Sequence, residues 1–446
     1  MFDISDTGVA VETRNPLRRR SFLAAALSSV AAVSACGDLA PGETTTSLRY
    51  WNLFSGGDGE TMKKMLDSYR AAHPRVELED VTLEWGDRYY TKLAMASAAD
   101  RAPDVAILHL GRLPAFAPGG LIDPVRPDLL RQTGIRAGQF PPGLWRRSHY
   151  GNRLFAIPLD THPFVLYYNV DVCRKAGLLD GNGRLRQLDG EQSVRSALRA
   201  AKRVTGAYGV VFESAGSEAV VPWRLFWTLY RQLDGRMFTS DGKALALHEG
   251  KLSRVLEFLQ DLGRSGLSST GMDGDAAIAQ FSSGRAGFLW HGEWEVQTFL
   301  TSGTPFSMTR FPPVFGRPVA EADSHAFVLP HQEDRQAERH RLIYEFVAAM
   351  VRQSALWAEG GHIPAYLPVT ESSEYAALQP QSRYRSVIDD VELDPEVWFA
   401  GSGSRLWMEL SPVLGAVMDG RLSVRQGIAE LREVTQRLLD TPNPTS

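Results

Sequence analysis

"SLRYWNLFSGGDGETMKKMLDSYRAAHP", Ser47 to Pro74, decides the fold class. Leu48 and Tyr50 alternate with polar neighbours, which is the period of a strand. Met62, Met65, Leu66 and Tyr69 then recur at i, i+3, i+4 and i+7, the period of a helix, and Pro74 closes it. The switch repeats immediately. "RVELEDVTLEW" (Arg75–Trp85) alternates as a strand, and "DRYYTKLAMASAAD" (Asp87–Asp100) reads as a helix. "PDVAILHL" (Pro103–Leu110) is an unbroken apolar run, as suits a strand covered on both faces. Strand, helix, strand, helix, strand predicts an open α/β sheet.

A second unit follows "LFAIPLDTHPFVLYYN" (Leu154–Asn169). Helical stripes recur in "SVRSALRAAKRV" (Ser193–Val204), "WRLFWTLYRQL" (Trp223–Leu233), "KLSRVLEFLQDLG" (Lys251–Gly263) and "AAIAQFSSG" (Ala276–Gly284). "AGFLW" (Ala286–Trp290) is a strand set among them. Phe311 to Pro330 is rich in Pro and Gly and runs into the strand "HAFVLP". The helix "RHRLIYEFVAAMV" (Arg339–Val351) and a last amphipathic helix, "SVRQGIAELREVTQRLLD" (Ser423–Asp440), complete the pattern. There is no internal repeat.

The chain starts with a different kind of segment. Ser21–Ala35 is apolar but shorter than the roughly 20 residues a spanning helix needs. Three arginines precede it and small residues end it, the layout of an export signal over residues 1–35. Arg19-Arg20-Ser21-Phe22-Leu23 carries the paired arginines of a twin-arginine signal, while Arg18 and Ala24 fit that motif less well, so the general secretory route stays open. Val33-Ser34-Ala35-Cys36 resembles the lipobox of bacterial lipoproteins, which implies a lipid on Cys36. An ordinary signal peptide with a chance cysteine is the rival reading. Residues 36–47 then form a flexible spacer. The chain is expected outside the cytoplasm, anchored to the outer face of the cell membrane.

With two cysteines and Cys36 spoken for, the exported fold has to stand without a disulfide, which a long chain can do. Cys173 reads as a small buried hydrophobe on a helix. The net charge is −4. Residues 1–35 hold four arginines (Arg14, Arg18, Arg19, Arg20) and three acids (Asp3, Asp6, Glu12), so the remainder stands at −5. That argues against nucleic acid as a partner.

Catalytic signatures are missing. The chain has no P-loop, no H-E-x-x-H and no G-x-S-x-G. Ser240-Asp241-Gly242-Lys243 matches S-x-x-K only as a turn. His291 and Glu293 lack a second histidine at metal-ligand spacing. A glycosidase needs only two carboxylates, and nothing nominates a pair. No enzyme activity, metal or cofactor is expected.

Five segments in order carry a resemblance: Arg49–Pro74, "EWGDRYYTKLAMASAADRAPDVAIL" (Glu84–Leu108), "LFAIPLDTHPFVLYYNVDVCRKAGL" (Leu154–Leu178), "AIAQFSSGRAGFLWHGEW" (Ala277–Trp294) and "GGHIPAYLPV" (Gly360–Val369). Together they resemble the extracellular solute-binding proteins of bacterial ABC transporters, in the sugar-binding, maltose-binding-protein-like family. The resemblance implies a two-lobed periplasmic-binding-protein-like fold of type II, with a ligand cleft between lobes joined by hinge crossovers. It puts the crossings near Pro158–Pro163, Asp323–Ala326 and Gly361–Pro364. Residues 48–160 plus about 325–362 would form one lobe, and 161–324 plus about 363–440 the other. A carbohydrate, an ABC permease and, indirectly, its ATPase are the implied partners of a monomer.

Sugars are held by aromatic rings over their C–H faces and by fixed hydrogen-bonding groups. The ten tryptophans suit this. Trp294 matches the aromatic of the family's G-x-W motif, whereas Trp223 and Trp290 are open between cleft and core. Family position adds Asn52, Phe54, Ser55, Gly57 and Asp58 from the first strand–helix loop. His109 ends a strand and competes with a structural role. Asp160, Thr161 and His162 come from the first crossover, and Gly361 and His362 from the third. A glycerol-phosphate-type polyol and a secreted hydrolase are the alternatives to a carbohydrate receptor.

Overall fold

A computed structural model describes residues 46–216 and 220–444. The export signal, Cys36 and most of the spacer lie outside the described residues. Among the described residues no helix is long and apolar enough to cross a membrane.

Two sheets organise the chain. In the first, strands run in the order Val76–Thr82, Thr46–Asn52, Val105–His109, His325–Pro330 and Ile122–Asp123, with Ala156–Pro158 also on His325–Pro330. The early strands pair in parallel, as their helical connections require, and His325–Pro330 runs antiparallel to Val105–His109. Every residue of Val105–His109 is buried, which is why that segment reads as an unbroken apolar run. The helix Gly56–Ala72 buries Met62, Met65, Leu66 and Tyr69, the stripe that its spacing predicts. Tyr69 meets Phe346 edge-on at 5.0 Å between ring centroids, and Phe346 also packs on Tyr50 at 5.3 Å.

The second sheet is built on one strand, Asp160–Asn169, whose ten residues are all buried. Its first half pairs with Ile363–Pro364 and Ala320–Asp323, its second half with Ala286–Gly292 and Phe306–Arg310. Each sheet has its own hydrophobic core, one around Tyr50, Ile107 and Phe346, the other around Tyr167, Phe288 and Leu259. Cys173 is buried in the second core, where loss of water pushes its thiol up to about 12.

Three short steps carry the chain between sheets. Ala156–Pro158 belongs to the first and Asp160 to the second. Ala320–Asp323 belongs to the second and His325–Pro330 to the first. Trp357 packs in the first core and Ile363 in the second. Backbone bonds lace the steps together: Leu159 N–H donates to His325 O at 2.8 Å, Ala365 N–H to Leu159 O at 2.9 Å, and Leu110 N–H to Ser324 O at 2.9 Å. The result is a two-lobed α/β molecule whose crossings sit at the floor of an interlobe cleft.

Candidate functional site

The cleft encloses about 370 Å³ and is lined from both lobes. From the first lobe, the loop before helix Gly56–Ala72 contributes Phe54 and Ser55, and the helix's first turn contributes Gly57 and Asp58. Gly56 has φ +54°, a left-handed turn that suits glycine and brings the loop backbone to the cleft. His109 lines it from a strand's carboxyl end, His162 and His362 from the crossings, and Trp294 from the second lobe. These are eight of the fourteen residues that the sequence nominates.

The other six stand elsewhere. Trp223 is fully buried, stacks on Trp227 with centroids 5.6 Å apart, and donates its indole N–H to Asp394 at 2.8 Å. Trp290 is equally buried, stacked on Phe212 and edge-on to Phe311. Both serve the second core and neither reaches the cleft. Asn52 uses its side-chain oxygen to accept from Phe54 N–H and Thr82 Oγ1–H, fixing the loop from behind. Thr161 is buried within its strand. Gly361 has φ +115°, and a Cβ there would collide with the Glu293 carbonyl, so it permits a close approach of two backbones. Asp160 is buried beneath the floor.

Asp160 organises that floor. Its Oδ1 accepts from His325 N–H at 2.8 Å and its Oδ2 from the Trp357 indole at 2.6 Å. His325 Nδ1 lies 2.7 Å from Oδ2, and His162 Nδ1 lies 3.3 Å from Oδ1. Burial alone would raise this carboxyl, but His325 and His162 outweigh it and hold it well below the usual range. The same burial pushes His162 and His109 well below the ordinary histidine value, with neighbouring His325 adding to the effect. His362 goes the other way. Burial would lower it, yet Asp58 at 3.0 Å and Glu293 hold it well above.

Trp294 has its own support. A Cβ on Gly292 would occupy the space of the Trp294 ring, which is a steric reason for glycine two residues before this tryptophan. The Arg224 guanidinium lies over the ring at 4.9 Å and over Trp407 at 5.1 Å, while its Nη1–H donates to Glu321 at 2.7 Å. Sequence reasoning missed Arg224, Trp85, Glu295 and His325, all of which line the cleft. Arg224 is one position from a core tryptophan on a wholly buried stretch of helix, so nothing in the pattern singles it out. His325 carried a readable signal, since it is a histidine on the second expected crossing.

Roomier grooves exist, among them one of about 760 Å³ lined by Arg195, Arg199 and Lys202 on the surface of the second lobe. The interlobe cleft differs in gathering buried polar groups from both lobes, the mark of a binding site.

Comparison with known proteins agrees with this two-lobed fold. The cyclic α-maltosyl-1,6-maltose binding protein of Arthrobacter globiformis superposes with a TM-score of 0.71 at 18% identity, over 88% of this chain and 99% of that one. The GacH receptor of Streptomyces glaucescens, solved unliganded and with acarbose, gives 0.74 at 16% identity, over 89% and 100%. UgpB of Mycobacterium tuberculosis in complex with glycerophosphocholine gives 0.74 at 16%, over 88% and 98%. Likeness at this identity establishes the fold. The sequence itself matches the family model of the bacterial extracellular solute-binding proteins over residues 55–355, and the chain belongs to that family.

Proposed function

We propose that this protein captures a mono- or oligosaccharide in the interlobe cleft and delivers it unchanged to an ABC permease. The observation that carries the reading is Trp294. Its ring lines the cleft, backed by Gly292 and Arg224, with Trp85 and Phe54 also lining it and the hydrogen-bonding groups of Ser55, Asp58 and Glu295 between them. Flat apolar faces beside fixed polar groups are what a sugar's two surfaces require. Asp58 and Glu295 line the same space, and Arg224 is already paired with Glu321. That balance favours hydroxyls over phosphate. Closure of the lobes on the sugar would supply the signal that the permease reads. A lipid on Cys36 would keep this monomeric receptor beside its transporter and raise its effective concentration there.

Thermal unfolding with a panel of neutral sugars, amino sugars and glycerol phosphodiesters tests the reading. A ligand at 100 times its Kd adds about 2.7 kcal/mol to the folded state. A sugar should give that shift, and Trp294→Ala should weaken its Kd at least about tenfold, about 1.4 kcal/mol. A response to phosphodiesters alone would replace the carbohydrate. Release of product from a glycan would overturn the receptor. For the anchor, Cys36→Ser should move the protein from the membrane fraction to the medium or periplasm.

A further inference from the structure

Each of the three crossings delivers one imidazole to the same point. His162 comes from the first, His325 from the second and His362 from the third, and Asp160 lies between them. One ligand atom from each of these four buried residues falls within 4.8 Å of all the others. We propose that Asp160, His162, His325 and His362 form a site for one divalent transition-metal ion of the zinc type, pinning the three crossings together at the floor of the cleft.

The hydrogen-bonding count points to a cation. A carboxylate offers about four lone-pair sites. Around Asp160 stand five donors or ring nitrogens: His325 N–H, the Trp357 indole, and the Nδ1 atoms of His325, His162 and His362, the last at 3.4 Å. That crowd leaves orphans. His162 Nε2 and Glu293 Oε2 have no hydrogen-bond partner, while His362 Nδ1 and Glu293 Oε1 face each other at 2.9 Å. Buried polar atoms that fail to pair cost stability unless something else engages them.

The orientation of the His362 ring is already set for ligation. Asp58 accepts from Nε2–H at 3.0 Å, so Nδ1 is the nitrogen left facing Asp160 and Glu293, at 3.4 and 2.9 Å. A carboxylate behind a histidine is the usual outer support of a ligating imidazole. Trp357, stacked on the His362 ring with centroids 4.4 Å apart, fixes the plane of that ring while bonding Asp160. Three imidazoles and one carboxylate match the donor preferences of zinc and its neighbours rather than of magnesium or calcium. A tetrahedral site with metal–ligand distances of about 2.0–2.1 Å sets its donors roughly 3.3 Å apart, so the widest pair must draw together on loading. Movement there is movement of the hinge.

The test uses the full chain, stripped with chelator and then equilibrated with zinc, without any sugar, so its failure leaves the carbohydrate reading standing. Elemental analysis after gel filtration should find one zinc per chain, and cobalt substitution should give the visible bands of a four-coordinate ion. His162→Gln and His362→Gln should each weaken zinc binding at least about tenfold. Should either fail to fold, Asp58→Asn, at a side chain 20% exposed, should still weaken zinc binding about 10–100-fold. Absence of retained zinc would overturn the proposal. So would one zinc per chain held equally well by the wild type and by Asp58→Asn and the folded glutamine variants.

Discussion

Two buried aspartates, one under the cleft and one in the second lobe, grip tryptophan indoles in nearly the same way and end in opposite electrostatic states. Asp160 takes the Trp357 indole at 2.6 Å and a backbone N–H, and is otherwise surrounded by imidazoles. Asp394 takes the indoles of Trp223 at 2.8 Å and Trp407 at 2.5 Å, with Gly401 N–H at 2.9 Å. Both are almost free of solvent. Burial and the nearby Asp323 raise Asp394 to about 6, whereas the histidines carry Asp160 far the other way. Neutral donors satisfy a carboxylate without making its charge comfortable. Imidazoles that bond it, with the raised His362 beside them, do both, and they are found where the chain crosses between lobes.

Removing each carboxyl should expose that difference. Asp160→Ala leaves an indole N–H, a backbone N–H and the imidazole cluster without their shared acceptor, and should cost about 3–5 kcal/mol in urea unfolding. At pH 5, where Asp394 is mostly protonated, Asp394→Ala should cost less, about 1–3 kcal/mol. Equal costs at that pH would break the comparison.

The pH dependence of stability is the next largest effect. Asp394 has its folded value raised from 3.8 to about 6. An acid raised in this way contributes stability that is fully present below pH 3.8 and lost as pH rises through about 6. The loss amounts to at most about 3 kcal/mol. Asp394→Asn cannot ionise, so its stability curve should be flatter than that of the wild type across this window, whatever its absolute level. Parallel curves would mean that other groups, such as Arg224 and Asp323 nearby, absorb the charge.

What the sequence revealed follows the same division between packing and polar detail. The strands and helices from Leu48 to His109 were readable because burial sets the spacing of apolar residues directly. The helix Arg405–Met418 was not read, since Pro412 and Gly415 look like breakers. Gly415 is there for a tertiary reason, as a Cβ would strike the Ser214 carbonyl. At the site, the family's G-x-W segment led to Trp294, whose ring needs the bare Gly292 backbone. Pattern alone did not separate it from Trp223 and Trp290. Strand Ala286–Gly292 is buried on both faces, so alternation carries no mark of which face is the cleft. The convergence of His162, His325 and His362 was hidden for a related reason. They arrive from three distant segments, and the spacing rules for metal ligands describe neighbours within one.

The smallest predicted effect separates the two aspartates most sharply. Trp223→Phe keeps the aromatic stack on Trp227 but removes one of three donors to Asp394. Because that bond favours the ionised carboxylate, its loss should raise the Asp394 value further and steepen the fall in stability above pH 5, at a cost of about 1 kcal/mol near pH 7. Sugar affinity should not change, since Trp223 is buried away from the cleft. Trp357→Phe removes the equivalent donor from Asp160. There the imidazoles remain to hold the charge, so no new slope should appear between pH 5 and 7. Urea midpoints at pH 5 and 7 for both variants, set beside sugar Kd values, test all of these expectations together. If Trp223→Phe weakens sugar binding, its core placement is wrong. If the two variants show the same slope, the histidines are not what distinguishes the floor of the cleft.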